Sequence, residues 1–493
     1  MAKAAAEPAA DVIIIGAGLS GIDAAYRLQT ECPSERVIIL EAREAIGGTW
    51  DLFRYPGVRS DSDMHTLGFP FRPWRGEKAI ADGEDIRRYI ADTARHYGID
   101  RKIRFGHRLV KANWSSVRAR WFLEVEVDGA TIELSCRFLF MGSGYYAYEA
   151  GYTPDLPGIE QFGGRIVHPQ HWPQDLDLSG QRIVVIGSGA TAVTLVPALA
   201  EHAAHVTMLQ RSPTYIVAKP ARDRIAHALY RWLPEGVASS LTRWKSILHT
   251  SAIYALSRRR PERVKGVILK KLRRALRDPK LVETHFTPRY KPWDQRICLV
   301  PDGDLFKALN SGRASVVTGT IANFTSTGVT LASGHTLDAD IVVTATGLVV
   351  RLFGGARIEV DGKPVNPADH LVYKGMMLSD VPNLALAFGY TNASWTLKCD
   401  LTARQLCRII SAMRRRGAES CVARYRRPAA ERSPLLDFTS SYVQRAAAVL
   451  PRQGGRHPWR VHQNYALDLA AFRFGKVDDG VLEFEPARPR SAG

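Results

Sequence analysis

Two stretches of this chain share one pattern: a β-branched run, a small-residue turn, and then a helical pattern. The first is DVIIIGAGLSGIDAAYRL and the second is RIVVIGSGATAVTLVPAL. Each opening run reads as a parallel strand buried on both faces. In the first, Gly16, Gly18 and Gly21 are spaced G-x-G-x-x-G; in the second, Gly187, Gly189 and Ala192 are spaced G-x-G-x-x-A. The first glycine of such a turn makes the tight bend. The second lets backbone approach a pyrophosphate, and the third small residue lets helix and strand pack closely. The helix start then offers free N–H groups to phosphate. Two such units predict an α/β fold with two Rossmann-like dinucleotide-binding domains.

The ends of the second strands distinguish the units. RVIILE ends at Glu41, whose carboxylate suits ribose hydroxyls and repels a 2′-phosphate, so this unit is expected to hold FAD or NAD. HVTMLQRS lacks the acid and places Arg211 there instead. A guanidinium forms a forked, charge-assisted pair with phosphate, so this unit is expected to hold NADPH. Thr191 is a candidate for a further phosphate contact. A chain that binds both FAD and NADPH is organised to move hydride from nicotinamide to flavin.

At 493 residues the chain has room for about two to four domains. The expected division is an FAD-binding domain from 8–150 and 353–493, an NADPH-binding domain from 151–215 and 296–352, and a helical insertion at 216–295. WFLEVEVDGATIELSC reads as strands joined by a turn at Asp128-Gly129. The six cysteines form no CxxC pair, which speaks against a zinc site and a redox disulfide, and no metal site is expected. The net charge is +18, yet no nucleic-acid-binding motif accompanies it, so nucleic acid is not an expected partner. The first ten residues lack a signal peptide's apolar run, and a cytoplasmic location is expected. The run SRRRPERVKGVILKKLRRALRDPK places Val264, Val267, Ile268 and Leu272 at helical spacing among Lys and Arg. It reads either as the solvated side of a helical insert or as a helix lying peripherally on an anionic membrane.

GGTWDLFRYPGVRSD fits [A/G]-G-x-W-x₄-[F/Y]-P-[G/M]-x₃-D through Gly47, Gly48, Trp50, Tyr55, Pro56, Gly57 and Asp61. FGGRIVHPQHWP fits F-x-G-x₃-H-x₃-W-[P/D] through Phe162, Gly164, His168, Trp172 and Pro173. Both resemble the fingerprints of class I Baeyer–Villiger monooxygenases, and their order relative to the two glycine turns matches that family. FRYPGVRSDSDM, PWDQR and GYTNASWTLK are most similar to mycobacterial members that activate thioamides.

The resemblance implies that NADPH reduces FAD and that reduced flavin and O₂ give a C4a-peroxyflavin. This attacks a ketone and yields an ester, and the same enzyme is expected to oxygenate sulfides or thioamides. The expected partners are thus O₂ and a small hydrophobic ketone or sulfur compound. Gly48 and Trp50 then belong to the cofactor site. Arg296 becomes the fixed, partly buried catalytic cation, with Asp61 as its partner. Asp63 competes for that role, and only the spacing from Tyr55-Pro56-Gly57 selects Asp61. His168 reads as a linker or hinge residue. Trp395 and Lys398 are expected in a mobile loop closing over NADP⁺.

Three other readings stand beside this one. A flavin-containing N- or S-oxygenase without ketone activity would share every cofactor motif. A disulfide reductase would need the missing cysteine pair, and a non-catalytic membrane-binding protein would hold no flavin.

Overall fold

The computed structural model describes residues 10–426, 432–436 and 441–486; the expected outer limits at residues 8 and 493 lie outside them. Strand β1 (Val12–Ile15) leads into helix α1 (Leu19–Glu31), which returns the chain to β2 (Val37–Leu40). Then come β3 (Ile103–Arg104) and β4 (Phe138–Met141). The second unit contains β5 (Arg165–Val167), β6 (Arg182–Ile186), helix α2 (Ala190–Leu199) and β7 (His205–Gln210). Helices α3 (Arg224–Trp232), α4 (Glu235–Arg259) and α5 (Pro261–Ala275) follow. The chain continues through β8 (Ala314–Thr318), β9 (Ile341–Thr344), β10 (Leu384–Leu386), α6 (Trp395–Arg416) and α7 (Tyr465–Phe474).

Two parallel five-stranded sheets result, ordered β10-β4-β1-β2-β3 and β8-β7-β6-β9-β5. In each, the strand that feeds the glycine turn is the central one. β1 alternates between two cores. Ile13 and Ile15 pack with Trp114, Trp121 and Leu139, while Val12 and Ile14 pack with Ile22, Leu28 and Leu406 of α1 and α6. Burying each such Val or Ile contributes roughly 1.5–3 kcal/mol, which is why both faces of the strand are apolar.

A third sheet covers the first. Its antiparallel strands Arg108–Ser115, Arg120–Val127 and Ala130–Cys136 are joined by Arg357–Val360. The expected turn at Asp128-Gly129 is present, and both residues have positive φ (49° and 78°), as a tight hairpin needs.

The stretch 216–295 opens with a strand, Ile216–Lys219, paired parallel to Cys298–Pro301, before its helices begin. On α5, Ile268 and Leu272 are buried in the core of the second unit and Val264 packs against it. Of the four residues named for a membrane-facing stripe, only Val267 is exposed. The apolar side of this helix is used up inside the protein, and its Lys and Arg form the solvated side.

α6 ends in Arg414, Arg415 and Arg416, cations that suit the negative end of the helix dipole, and stops at Gly417 in the left-handed region. The C-terminal segment lies against it. Lys398 is buried and pairs with Asp468 at 2.8 Å, and the Tyr390 hydroxyl donates to the same carboxylate at 2.7 Å. Lys374 pairs with Asp479 at 3.1 Å, and Tyr373 donates to it at 2.7 Å. Burial lowers the pKa of both lysines, and the paired carboxylates oppose that shift.

Candidate active site between two dinucleotide turns

A cavity of about 570 Å³ reaches from the first glycine turn to the start of α2, the helix that follows the second. Gly16, Gly18 and Glu41 line it on one side, Thr191 and Arg296 on the other, and Gly48, Trp50, Asp61 and Trp395 complete its wall. Gly21, Gly187, Gly189, Ala192 and Arg211 lie off the wall.

The first turn is tightly built. Gly16 has φ +99°, and an added Cβ would stand 2.8 Å from the Gly142 carbonyl oxygen. At Gly21 it would stand 1.9 Å from the Gly16 oxygen, so helix and strand touch there. Gly48 backs the turn, its Cα 3.4 Å from where a Gly18 Cβ would be. Glu41 is only 5% exposed. Its two carboxylate oxygens accept from the backbone N–H groups of Ala17 at 2.7 Å and Arg43 at 3.0 Å. Burial pushes this carboxyl above its usual range, and those two amides draw it partly back. A carboxylate held at the strand end beside an open phosphate turn fits a dinucleotide with an unmodified ribose.

The second turn is as tight at its first glycine but open at its second. Gly187 packs against the Ala345 carbonyl, and Ala192, on the first turn of α2, is buried. A Cβ at Gly189 would meet nothing within 4 Å. Arg211 is exposed directly after β7, beside a Ser188–Thr214 hydroxyl pair at 2.8 Å. An exposed guanidinium without a carboxylate at that strand end fits a phosphorylated ribose.

The first fingerprint bridges the two units. Gly57 has φ +74°, and a Cβ there would stand 2.9 Å from Ala198 Cβ on α2. The Tyr55 side chain hydrogen-bonds with Thr191, and burial pushes its phenol up to about 12. Arg59 pairs with Asp304. Asp61 meets Arg296 at 2.8 Å, and both side chains are half-exposed (38% and 39%). The pair implied by the resemblance is therefore formed, and Arg296 is partly buried on the cavity wall. Asp63 is engaged elsewhere: its side chain accepts from Thr66 N at 3.2 Å and caps the short helix Met64–Leu67.

Trp395 departs from expectation. It is the first residue of α6, not part of a loop, and its indole N–H donates to Ser20 Oγ on α1 at 3.1 Å. Its ring stacks on Tyr145 at 5.1 Å. The residue is thus fixed beside the first turn rather than the second. Lys398, one helical turn on, is buried on Asp468. Sequence reasoning missed the aromatic wall of Tyr145, Tyr146 and Phe388. The Gly-Tyr-Tyr that follows β4 is its local signal. It also missed Arg351, which lines the cavity and pairs with Glu149 at 3.2 Å.

His168 stands off the cavity, at the crossing between the sheets. Its Nδ1 accepts from Gln170 N at 3.1 Å, and burial lowers its pKa. There Tyr152 N donates to Gly347 O at 3.0 Å, so the two connecting segments run side by side. All six cysteines are buried and none lines the cavity. Among the described residues, no group of three His, Cys, Asp or Glu is placed to hold a metal.

Residues 10–232 match the pyridine nucleotide-disulphide oxidoreductase family. The whole chain is 53% identical over 484 residues to the FAD-containing monooxygenase EthA of Mycobacterium tuberculosis, covering 98% of this chain and 99% of that one. It is 46% identical over 484 residues to the probable FAD-binding monooxygenase AlmA of Acinetobacter baylyi, covering 96% of each. An oxidized steroid monooxygenase bound to NADP has the same fold, with a TM-score of 0.74 at 22% identity over 97% of this chain and 99% of that one. The chain belongs to the family of FAD-containing monooxygenases, in keeping with the class I Baeyer–Villiger fingerprints of its sequence.

Proposed function

We propose that this chain is an NADPH-dependent flavin monooxygenase of the Baeyer–Villiger type, converting small hydrophobic ketones to esters and also oxygenating sulfides or thioamides. The observation that carries this reading is the Asp61–Arg296 pair on the wall of a cavity that runs from the acid-ended dinucleotide turn to Thr191 at the start of the helix behind the Arg-ended one. Bound FAD, once reduced by NADPH, supplies the activation of O₂.

The chain's own residues do the rest. Gly16 and Gly18 bring backbone to the flavin dinucleotide's pyrophosphate, and Glu41 accepts from its ribose. Gly187 and Gly189 do the same for NADPH, Arg211 holds its 2′-phosphate, and Thr191 supports the phosphates. Arg296 keeps its charge at any working pH. It stabilises negative charge that develops on a reacting carbonyl oxygen. Asp61 orients that guanidinium. Trp395, Tyr145 and Phe388, whose rings pack on one another, make an aromatic wall that keeps water away and receives an apolar substrate, while Trp50 belongs with Gly48 to the cofactor site.

The return of β10 and α6 to the first sheet supports the division into a flavin side (8–150, 353–493), a nicotinamide side (151–215, 296–352) and an insertion (216–295). Six unpaired, buried cysteines suit a reducing cytoplasm, where NADPH is also supplied. No helix among the described residues is long and apolar enough to cross a membrane.

The test is product analysis with a linear ketone and an aryl sulfide under NADPH and O₂. Ester from the ketone supports the proposal. Sulfoxide without any ester would replace it with a heteroatom oxygenase.

A further inference from the structure

Helix α4 carries apolar residues both where it packs on the protein and where it meets solvent. On the inner side, Ile247 is buried against Tyr390 and Leu397, and Tyr390 lines the cavity. On the outer side, Val237, Leu241, Trp244 and Leu248 recur at helical spacing and all are exposed, Leu248 to 59%. The neighbouring α3 extends this face. α3 packs on α4 and presents Ile225 and Trp232, the latter 76% exposed. α7 meets the edge of this face through the Trp244 and Tyr465 rings, 5.9 Å apart, and turns its own exposed Leu467 and Phe474 to the other side. The solvent side of a surface helix is ordinarily polar. An apolar patch spread over two packed helices marks an interaction surface.

The surrounding charge selects the partner. Residues 224–277 contain fourteen Lys and Arg against two Glu. Arg231, Arg259, Arg260 and Arg263 are exposed at the ends of these helices. A second copy docking on this face would bring the same positive field against itself, which opposes association. An anionic lipid surface satisfies both features. Trp and Leu side chains enter the boundary of the acyl chains while guanidinium groups stay among the phosphates.

We infer that the outer faces of α3 and α4 form a docking surface for an anionic phospholipid membrane. α5, the most basic helix, adds charge but little apolar contact, since its stripe is buried. Docking would set the cavity wall one helix thickness from the bilayer. The value of that placement rests on the monooxygenase reading; the docking itself does not.

The experiment is flotation of the flavin-loaded protein with phosphatidylcholine vesicles, with and without phosphatidylglycerol, at low salt. Co-flotation is expected only with phosphatidylglycerol, together with tryptophan quenching when the phosphatidylcholine is brominated. The variant Leu241→Ser/Leu248→Ser is expected to partition about tenfold more weakly or worse, with flavin spectrum and NADPH oxidation in solution unchanged. Arg259→Glu/Arg260→Glu gives a second reading should the serine variant fail to fold, and is also expected to lose flotation. Three results would each overturn the proposal. They are no flotation with phosphatidylglycerol, undiminished flotation of both variants, or light scattering that shows a self-assembly abolished by the serine variant while vesicles go unbound. Flotation by a protein that makes no oxygenated product would keep the docking surface and reject the monooxygenase reading instead.

Discussion

The two dinucleotide turns began from nearly the same string of residues, yet they are built differently. The first is crowded: its glycines touch neighbouring backbone, and its acid is buried on two amides. The second leaves open space at Gly189 and carries its guanidinium in solvent. A crowded, buried turn suits a cofactor that stays through many turnovers. An open one suits a cofactor that arrives and departs. The difference lies in what packs behind each turn, which no glycine motif encodes.

The comparison can be broken most forcefully at Gly21. Gly21→Ala forces a Cβ onto a backbone oxygen that cannot move aside, so a loss of about 3 kcal/mol or more is expected, along with most of the flavin. Denaturant midpoints and flavin absorbance per chain measure both, and a fully yellow, stable variant would refute the account of the first turn. Next in size is Arg296→Ala. Flavin reduction by NADPH in stopped flow should survive, while oxygenated product falls by about 10²–10³; undiminished product would remove Arg296 from the chemistry. Arg211→Ala should raise KM for NADPH by roughly 10–100-fold with kcat nearly unchanged, and an unaltered preference for NADPH over NADH would mean that the phosphate is held elsewhere. Gly189→Ala should leave stability within about 0.5 kcal/mol and raise only KM for NADPH, the mirror image of Gly21→Ala.

The smallest effect concerns the crossing between the units. Burial holds the His168 imidazole below its ordinary value near 6.5. The unfolded chain therefore takes up a proton there before the folded one does. This contribution to stability is present above pH 6.5 and is lost as pH falls through the lowered folded value. His168→Gln should flatten the acid-side decline of Tm by about 1–2 °C, and an identical decline would show that the fold does not shift the His168 imidazole.

The sequence was most readable where structure is local. The strand–turn–helix units, the Asp128-Gly129 hairpin and the choice of Asp61 over Asp63 all depend on spacing within a few residues. It was least readable where a residue's partner comes from far along the chain. Trp395 sits in a run of turn-forming residues, and nothing nearby reports that Ser20 and Tyr145 hold it at a helix start. The period of Val264, Ile268 and Leu272 defines an apolar side but not what that side meets. The strand Ile216–Lys219 was hidden in a stretch read as helical, because its partner, Cys298–Pro301, comes after the whole insertion.

The two Lys–Asp–Tyr clusters have a consequence for how the molecule is made. Asp468 and Asp479 are the counter-ions of lysines sealed inside a domain whose first strand is laid down at Val12. Without them each ammonium would be stranded in apolar surroundings, at a cost of about 3–5 kcal/mol. A ribosome therefore has to release nearly the whole chain before the oldest part of it can close. Until then the nascent protein has its scaffolding up but its keystones still in the tunnel.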